Sequence, residues 1–194
     1  MQTTNAGSRS TSPRSGDEEE AQLVRRIACQ DRHAFELLYR IYYRRLTRFL
    51  DRVTRRPQMI DEILDDTMLV VWRKAATFNG ASQVSTWIFA IAYRKAMKTF
   101  KRERRVQDSF DLDEAASAPS PETALLEGEW RLALRRLVAE LSAEQRAVVE
   151  LTYYHGCAYR EIAQIIGCPV DTVKTRMFHA RRKLKAVLMA REQE

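Results

Sequence analysis

Gly167, two residues ahead of Pro169, breaks an otherwise continuous helical pattern in Tyr159–Lys185, YREIAQIIGCPVDTVKTRMFHARRKLK, and that break constrains the fold more than any other feature. Before it, Ile162, Ala163, Ile165 and Ile166 form an apolar face of period 3.6. A residue without Cβ adopts the left-handed conformation that a sharp turn needs, so Gly167 ends the first helix. Pro169 is excluded from a helix interior but tolerated in the turn before the next helix. Asp171 or Thr172 can cap that second helix, whose apolar positions Val173, Met177, Ala180 and Leu184 recur three and four residues apart. Ala163, Gly167 and Val173 stand where a helix-turn-helix needs a small contact residue, a turn glycine and a buried branched residue. Such a unit places its second helix in the DNA major groove, N-terminal residues towards base edges. Lys174, Thr175, Arg176, His179, Arg181, Arg182, Lys183 and Lys185 are the polar groups it offers. The competing reading is a plain helical hairpin with a solvated basic face; the Ala-Gly-Val spacing and the run of donors favour DNA.

The net charge of +7 on 194 residues hides a division along the chain. Val24–Arg105 carries 19 Lys and Arg against 8 Asp and Glu, a net +11, and Arg131–Glu194 carries 12 against 7, a net +5. Between them Val106–Trp130 has 7 acidic residues and no basic one. Two basic blocks held apart by an acidic connector are the footprint of a two-module polyanion binder. Glycine is sparse and period-2 strand patterns are absent, so the expected fold is all-α: two small helical domains joined by a flexible acidic linker. The expected divisions are a flexible leader at 1–20, a first domain at 21–105, the linker at 106–129 and a second domain at 130–190. Apolar runs such as Trp87–Tyr93 fall far short of the ~20 residues that span a bilayer, and Met1–Glu20 lacks the apolar core of a signal peptide. Direct membrane insertion is therefore not expected. Cys29, Cys157 and Cys168 are odd in number and lack CxxC spacing, which suits reduced thiols in a cytoplasm. His155 and Cys157 are near each other, but two ligands do not make a zinc site, so neither metal nor cofactor is expected.

Along the first block, Leu23, Ile27, Ala34, Phe35, Leu38, Ile41, Tyr42, Leu46, Phe49, Leu50 and Val53 point inward from two helices broken near Gln30–Arg32, with Asp31 able to cap the second. Arg40, Arg44, Arg45, Arg48 and Arg52 line its outer side, free either to meet phosphate or to solvate the surface. Asp61–Phe78 reads as the next helix, with Ile63, Leu64, Met68, Val71 and Trp72 inward. The helix dipole accounts for Asp61 and Glu62 in its first turn, but less well for Asp65 and Asp66 one turn later. A docking face for a basic partner explains all four. After the loop Asn79–Gln83, Ser85 or Thr86 can cap a helix with Trp87, Ile88, Ile91, Ala92 and Ala96 on its apolar stripe. Its other side carries Tyr93, Arg94, Lys95, Lys98, Lys101, Arg102, Arg104 and Arg105, and rings interleaved with cations suit single-stranded DNA. Tyr93 fits base stacking and core packing equally well on this pattern, while Trp72 and Trp87 fit core packing better. In the second domain, Ser142 and Gln145 have the spacing of a capping box opening the helix Ala143–Tyr154, which Gly156 ends.

Taken in order, these parts resemble an extracytoplasmic-function (ECF) sigma factor of the bacterial sigma-70 family. The resemblance covers roughly 34–105 and 131–188. It is carried by AFELLYRIYYRRLTRFL, DEILDDTMLVVWRKAATFNG, STWIFAIAYRKAMKTFKRERR and LSAEQRAVVELTYYHGCAYREIAQIIGCPVDTVKTRMFHARRKL. It implies an initiation factor and no enzyme. Glu62, Asp65 and Asp66 would dock on the β′ coiled coil of core RNA polymerase, with the β subunit as a further partner. Asn79, Ser85, Thr86, Trp87, Tyr93, Arg94 and Lys98 would recognise and melt the promoter −10 element. Thr172, Lys174, Thr175, Arg176, His179, Arg181 and Arg182 would read the −35 element. The family's usual Asn and Asp are Arg94 and Lys98 here, a Gly common before its Thr-Val is Asp171, and an often-basic position is His179. The resemblance also implies a cytoplasmic protein under anti-sigma control, serving a stress or envelope response. A stand-alone helix-turn-helix regulator is the alternative, but it has no need of an acidic docking helix followed by an aromatic-basic one. An RNA-binding protein is a second alternative, argued against by any sequence-specific duplex preference. A hydrolase or transferase is the weakest: no phosphate loop, Ser-His-Asp grouping or metal cluster is present in the sequence.

Overall fold

The computed structural model describes residues 15–110 and 140–191, with side chains at 16–102 and 140–186. Most of the expected linker, the start of the expected second domain and the first fourteen residues lie outside the described residues. Among the described residues there are seven α-helices, two short 3-10 turns and no strand.

Helix α1, Ser15–Ala28, begins inside the stretch expected as leader. Asp17 and Glu18 lie in its first turn and Arg25 and Arg26 in its last, the order that the helix dipole favours. Glu20 faces inward, accepting hydrogen bonds from Tyr42 Oη and, at 3.2 Å, from Arg45 Nη1. The acidic run thus charges a helix N-terminus and ties it down. Helix α2, Arg32–Thr54, follows a turn that Gln30 makes at φ 62°, and Asp31 caps it by accepting from Ala34 N–H at 3.0 Å. Leu38, Tyr42, Leu46, Phe49, Leu50 and Val53 are fully buried, whereas Ile41, expected inward, is 41% exposed. The buried stripe passes through Tyr42, one residue further round the helix.

After the 3-10 turn Pro57–Met59, helix α3 spans Ile60–Lys74, four residues shorter than the helix expected at its C-terminal end, because Ala75–Thr77 tighten into a second 3-10 turn. Helix α4, Val84–Phe110, starts ahead of Ser85 and Thr86, so neither caps it; the Gln83 carbonyl accepts the Trp87 N–H at 3.1 Å, and Thr86 is buried. Residues 106–110, expected in the linker, continue this helix.

Helix α5, Ala143–Tyr153, opens on the expected capping box: Ser142 Oγ accepts from Gln145 N–H at 3.2 Å, and Gln145 Oε1 accepts from Ser142 N–H at 3.1 Å. Helix α6, Tyr159–Ile166, ends on Gly167 at φ 67°. Helix α7, Val170–Arg191, starts one residue before Asp171, because the Pro169 carbonyl already accepts from Thr172 N–H at 3.0 Å. Asp171 therefore sits in the first turn and pairs with Lys174 at 2.9 Å instead of capping.

The two halves share one core. α5 rests on α2 and α6 on α4, so Phe49 and Phe89 join Val148, Leu151, Ile162, Ile165, Val173 and Met177 in a continuous buried cluster.

Candidate nucleic-acid interface and docking face

The helix-turn-helix of α6 and α7 is built from its apolar positions outward. Ile162, Ile165, Val173 and Ala180 are fully buried and Met177 nearly so, which fixes the rotation of α7 about its axis. Lys174, Thr175, Arg181, Arg182 and Lys183 are consequently exposed, while Thr172, Arg176 and His179 are half-buried. Arg181 donates to Tyr153 Oη at 2.9 and 3.1 Å, which steadies its guanidinium. Arg176 is turned back: its Nη1 donates to Cys168 Sγ at 3.8 Å. Phe178, a residue the sequence reading passed over, is 61% exposed on the same helix and packs edge-on against His179 at 5.6 Å between ring centroids.

On the first half, a cleft of about 380 Å³ opens between α3 and α4, lined by Val70, Lys74, Thr77, Trp87, Ile91, Arg94, Lys95 and Lys98. Its floor is apolar and its rim cationic. Trp87 rests against Phe78, with centroids 5.3 Å apart, and Arg94 and Lys98 are exposed. Asn79 is exposed at the mouth of the preceding loop, where its Oδ1 accepts from Ala81 N–H at 3.0 Å beside Gly80 at φ 73°. Ser85 Oγ lies 3.3 Å from Gln83 Oε1. Thr86 and Tyr93 do not join this surface: they are 3% and 6% exposed. Tyr93, placed on the polar side of α4 by periodicity, instead lies under the second half of the chain. Burial pushes its phenol up to about 12, with Glu144 adding to the rise and Arg176 opposing it. The sequence does carry a signal for this: Phe89, Tyr93 and Ala96 form a second apolar stripe, and a helix apolar on two sides is covered on two sides.

The acidic edge of α3 is exposed at Asp61, Glu62, Asp65 and Asp66. Asp66 is engaged within the molecule, paired to Lys95 at 2.8 Å across to α4. Asp65 accepts from Tyr39 Oη at 3.4 Å and borders a groove of about 520 Å³ lined by Arg32, Phe35, Tyr39, Met68, Leu69 and Trp72. Burial first, then the Asp65 charge, raises the Tyr39 phenol, so it stays a donor. Leu69 and Tyr43 remain 43% and 44% exposed beside this edge. The aromatic part of the groove was missed in the sequence because Phe35, Tyr39 and Trp72 come from two helices and meet only in the fold; Phe35 and Trp72 pack edge-to-face at 5.2 Å.

Among the described residues there is no group of three or more His, Cys, Asp and Glu able to hold a metal, and no helix long and apolar enough to cross a membrane.

Comparison with known proteins places this geometry. Residues 38–106 match the family described as Sigma-70 region 2, and residues 131–184 match Sigma-70, region 4. The chain is 29% identical over 182 residues to the RNA polymerase sigma-H factor of Pseudomonas aeruginosa, covering 88% of this chain and 94% of that one. It is 30% identical over 173 residues to the ECF RNA polymerase sigma-E factor of Escherichia coli K12, covering 84% and 90%. Among solved structures it resembles the sigma factor RpoE from Bartonella quintana, crystallised with the anti-sigma factor NepR, with TM-score 0.67, 26% identity and coverage of 80% and 96%. It also shares its fold with CnrH, solved with the cytosolic domain of CnrY, with TM-score 0.65, 22% identity and coverage of 89% and 98%.

Proposed function

The chain belongs to the extracytoplasmic-function sigma factors of the sigma-70 family, and from that membership we propose how its surfaces divide the work of promoter-specific transcription initiation. A sigma factor performs no bond-forming chemistry; it lends sequence specificity to a polymerase. The acidic edge of α3, through Glu62, Asp65 and Asp66, docks on the β′ coiled coil of core RNA polymerase, and the adjoining groove receives apolar side chains of that partner. The β subunit is a further contact.

Helix α7 reads the −35 element from the major groove with Thr172, Lys174, Thr175, Arg176 and His179, while Arg181 and Arg182 hold phosphate. An arginine bidentate to guanine contributes about 1–3 kcal/mol of discrimination, and Arg176 is the residue assigned to it. Asn79, Ser85, Trp87, Arg94 and Lys98 engage the −10 element as a single strand. Extruding a base costs a few kcal/mol. Stacking on a ring such as Trp87 returns about 1–3 kcal/mol per base, and phosphate contacts from Arg94 and Lys98 add a salt-sensitive share. Thr86 and Tyr93 take part only once the second half moves away.

An anti-sigma factor controls the chain, in a stress or envelope response; the support is the likeness to RpoE, which was solved with NepR. The protein works where polymerase does, in the cytoplasm.

The observation that carries this reading is that one molecule presents an exposed acidic edge with an aromatic groove, a basic cleft and a helix-turn-helix. A stand-alone regulator needs only the last. Run-off transcription with core polymerase on a library of promoter fragments tests it. Specific initiation that depends on the protein supports the reading; DNA binding without initiation, and without co-migration with core enzyme, returns the stand-alone regulator.

A further inference from the structure

The first turn of α1 reaches the loop that leads into α4, across a separation of 66 positions in the chain. Gln83 Nε2 donates to Asp17 Oδ2 at 3.2 Å. The other end of the same amide is also engaged: Gln83 Oε1 accepts from Ser85 Oγ at 3.3 Å. Gln83 stands immediately ahead of α4, and its backbone carbonyl accepts the Trp87 N–H. Behind Asp17, α1 is held in place. It packs on α2 and on the 3-10 turn Ala75–Thr77 that precedes the loop, and Glu20 accepts from Tyr42 and Arg45. Asp17, which the sequence pattern assigns to a leader, is thus a fixed point against which the entry to α4 is set.

The direction of donation along this row of groups is set by its first member. A carboxylate oxygen only accepts, so it draws the amino end of the Gln83 side chain and leaves the amide oxygen facing Ser85. An amide oxygen also only accepts, so the single hydroxyl proton of Ser85 is directed to Gln83. Outward, Ser85 then offers lone pairs and no proton. It is half-buried in the first turn of α4, two residues from Trp87. A base edge that presents an amine there can donate to Ser85. A base edge that presents a carbonyl oxygen meets a second acceptor, and Ser85 must break its bond to Gln83 in order to donate. Cytosine and adenine carry the amine where thymine and guanine carry the oxygen.

We infer that Asp17 is a positioning residue for base selection: through the Gln83 amide it fixes Ser85 as an acceptor, so that one single-stranded position prefers an amino base to a keto base. Its role is to orient one amide, and Ser85 makes the contact. The selection rests on the placement of Ser85 and Trp87 at the −10 element under the proposed function; the orientation of the amide by Asp17 does not.

The test uses the full-length protein bound to core polymerase, and fork-junction DNA whose −10 segment is single-stranded and randomised. Sequencing the bound fraction reads base preference position by position. The variants are Asp17→Asn, Ser85→Ala, and Asp17→Asn combined with Gln83→Glu, with melting curves to confirm that each folds. An asparagine at position 17 can turn either end to Gln83, which lets the Gln83 amide flip and frees Ser85 to donate. The double variant exchanges carboxylate and amide, keeps the net charge, and again gives Ser85 only an acceptor to face. The wild type is expected to favour amino over keto bases about fivefold at one position, the worth of one hydrogen bond. Asp17→Asn and Ser85→Ala should bring that position alone to near parity, and the double variant should restore it. A preference that survives Asp17→Asn, or that falls equally at every position without rescue by the double variant, would overturn the inference. So would Asp17→Asn and Ser85→Ala acting at different positions. Nitrogen–proton NMR of the free protein reads the orientation without DNA: Asp17→Asn should shift the Gln83 side-chain amide signals and the Ser85 backbone amide. Unmoved signals would sink the positioning role. Shifted signals together with a wild type that shows no base preference would strike the −10 assignment and the selection, and leave the contact of Asp17 with Gln83.

Discussion

Arg176 is the side chain on which the −35 reading turns, and its surroundings set the size of the effect. It is half-buried, with only a weak sulfur acceptor at 3.8 Å, so it exchanges little when it swings towards a guanine edge. Arg176→Ala should therefore cost most of what a bidentate contact provides, about 1–3 kcal/mol, or roughly 5- to 150-fold in −35 affinity. Association with core polymerase should be unchanged. A pull-down with core enzyme alongside a duplex titration separates the two, and equal loss of both would sink the assignment of α7. The acidic edge divides similarly, residue by residue. Asp66 already holds Lys95, whereas Asp65 has only the long bond from Tyr39 and faces the groove. Asp65→Arg should weaken core polymerase binding at least tenfold with little change in stability, by placing a cation where a basic partner docks. Asp66→Asn should remove only a partly exposed ion pair, about 0–1 kcal/mol of stability. A larger docking defect from Asp66→Asn than from Asp65→Arg would reverse these roles.

At the scale of the element, Gly167 is where sequence and structure agree most closely. It stands at φ 67° with nothing within 4 Å of where a Cβ would be, so a substitution is penalised by backbone conformation alone. Gly167→Ala should cost about 1–2 kcal/mol and lower the melting temperature by roughly 2–8 °C for a chain of this size. An unchanged melting curve would mean that the turn is not held in the folded protein. Features governed by neighbours in sequence were legible in this way: the Asp31 cap, the capping box of Ser142 and Gln145, and the Gly167 stop. Cap choice failed in two ways, once to core packing and once to a neighbouring backbone carbonyl. Thr86 is drawn into the core, and α7 begins on the Pro169 carbonyl, ahead of Asp171. The docking groove and the covered face of Tyr93 were not legible, because their partners lie on helices that meet only on folding. Even so, the apolar run from Ile88 to Tyr93 marks a helix buried on more than one side.

For the molecule as a whole, the buried pair Glu150 and His155 links stability to pH between about 4 and 7. Glu150 Oε1 and His155 Nε2 are 3.9 Å apart, and neither has a hydrogen-bond partner. From α2 they face Arg45, Arg48, Asp51 and Arg52; from α4 they face the Phe89 ring; Cys157 Sγ lies 3.9 Å from the His155 carbonyl on the second half. Burial pushes Glu150 up to about 7 from 4.5, against the pull of Arg52 and Arg48. Burial pushes His155 down to about 4 from 6.5, with Arg45 and Arg48 adding to it. A raised carboxyl contributes stability fully below 4.5 and loses that contribution as pH rises through 7; a depressed imidazole contributes above 6.5 and loses it as pH falls through 4. Between 4.5 and 6.5, folding takes a proton onto Glu150 and releases one from His155, so the two effects cancel. The contribution of this pair to wild-type stability should accordingly be flat across that window. His155→Phe keeps a ring against Phe49 and Phe89 but leaves Glu150 uncompensated, and stability should then fall by about 1.4 kcal/mol per pH unit from 4.5 to 7. Glu150→Gln should do the reverse, raising stability by about the same amount per unit from 4 to 6.5. Urea unfolding of the three proteins across this range reads the slopes directly. A wild type that follows either variant would show that only one of the two groups changes its protonation on folding, and that the pair does not compensate.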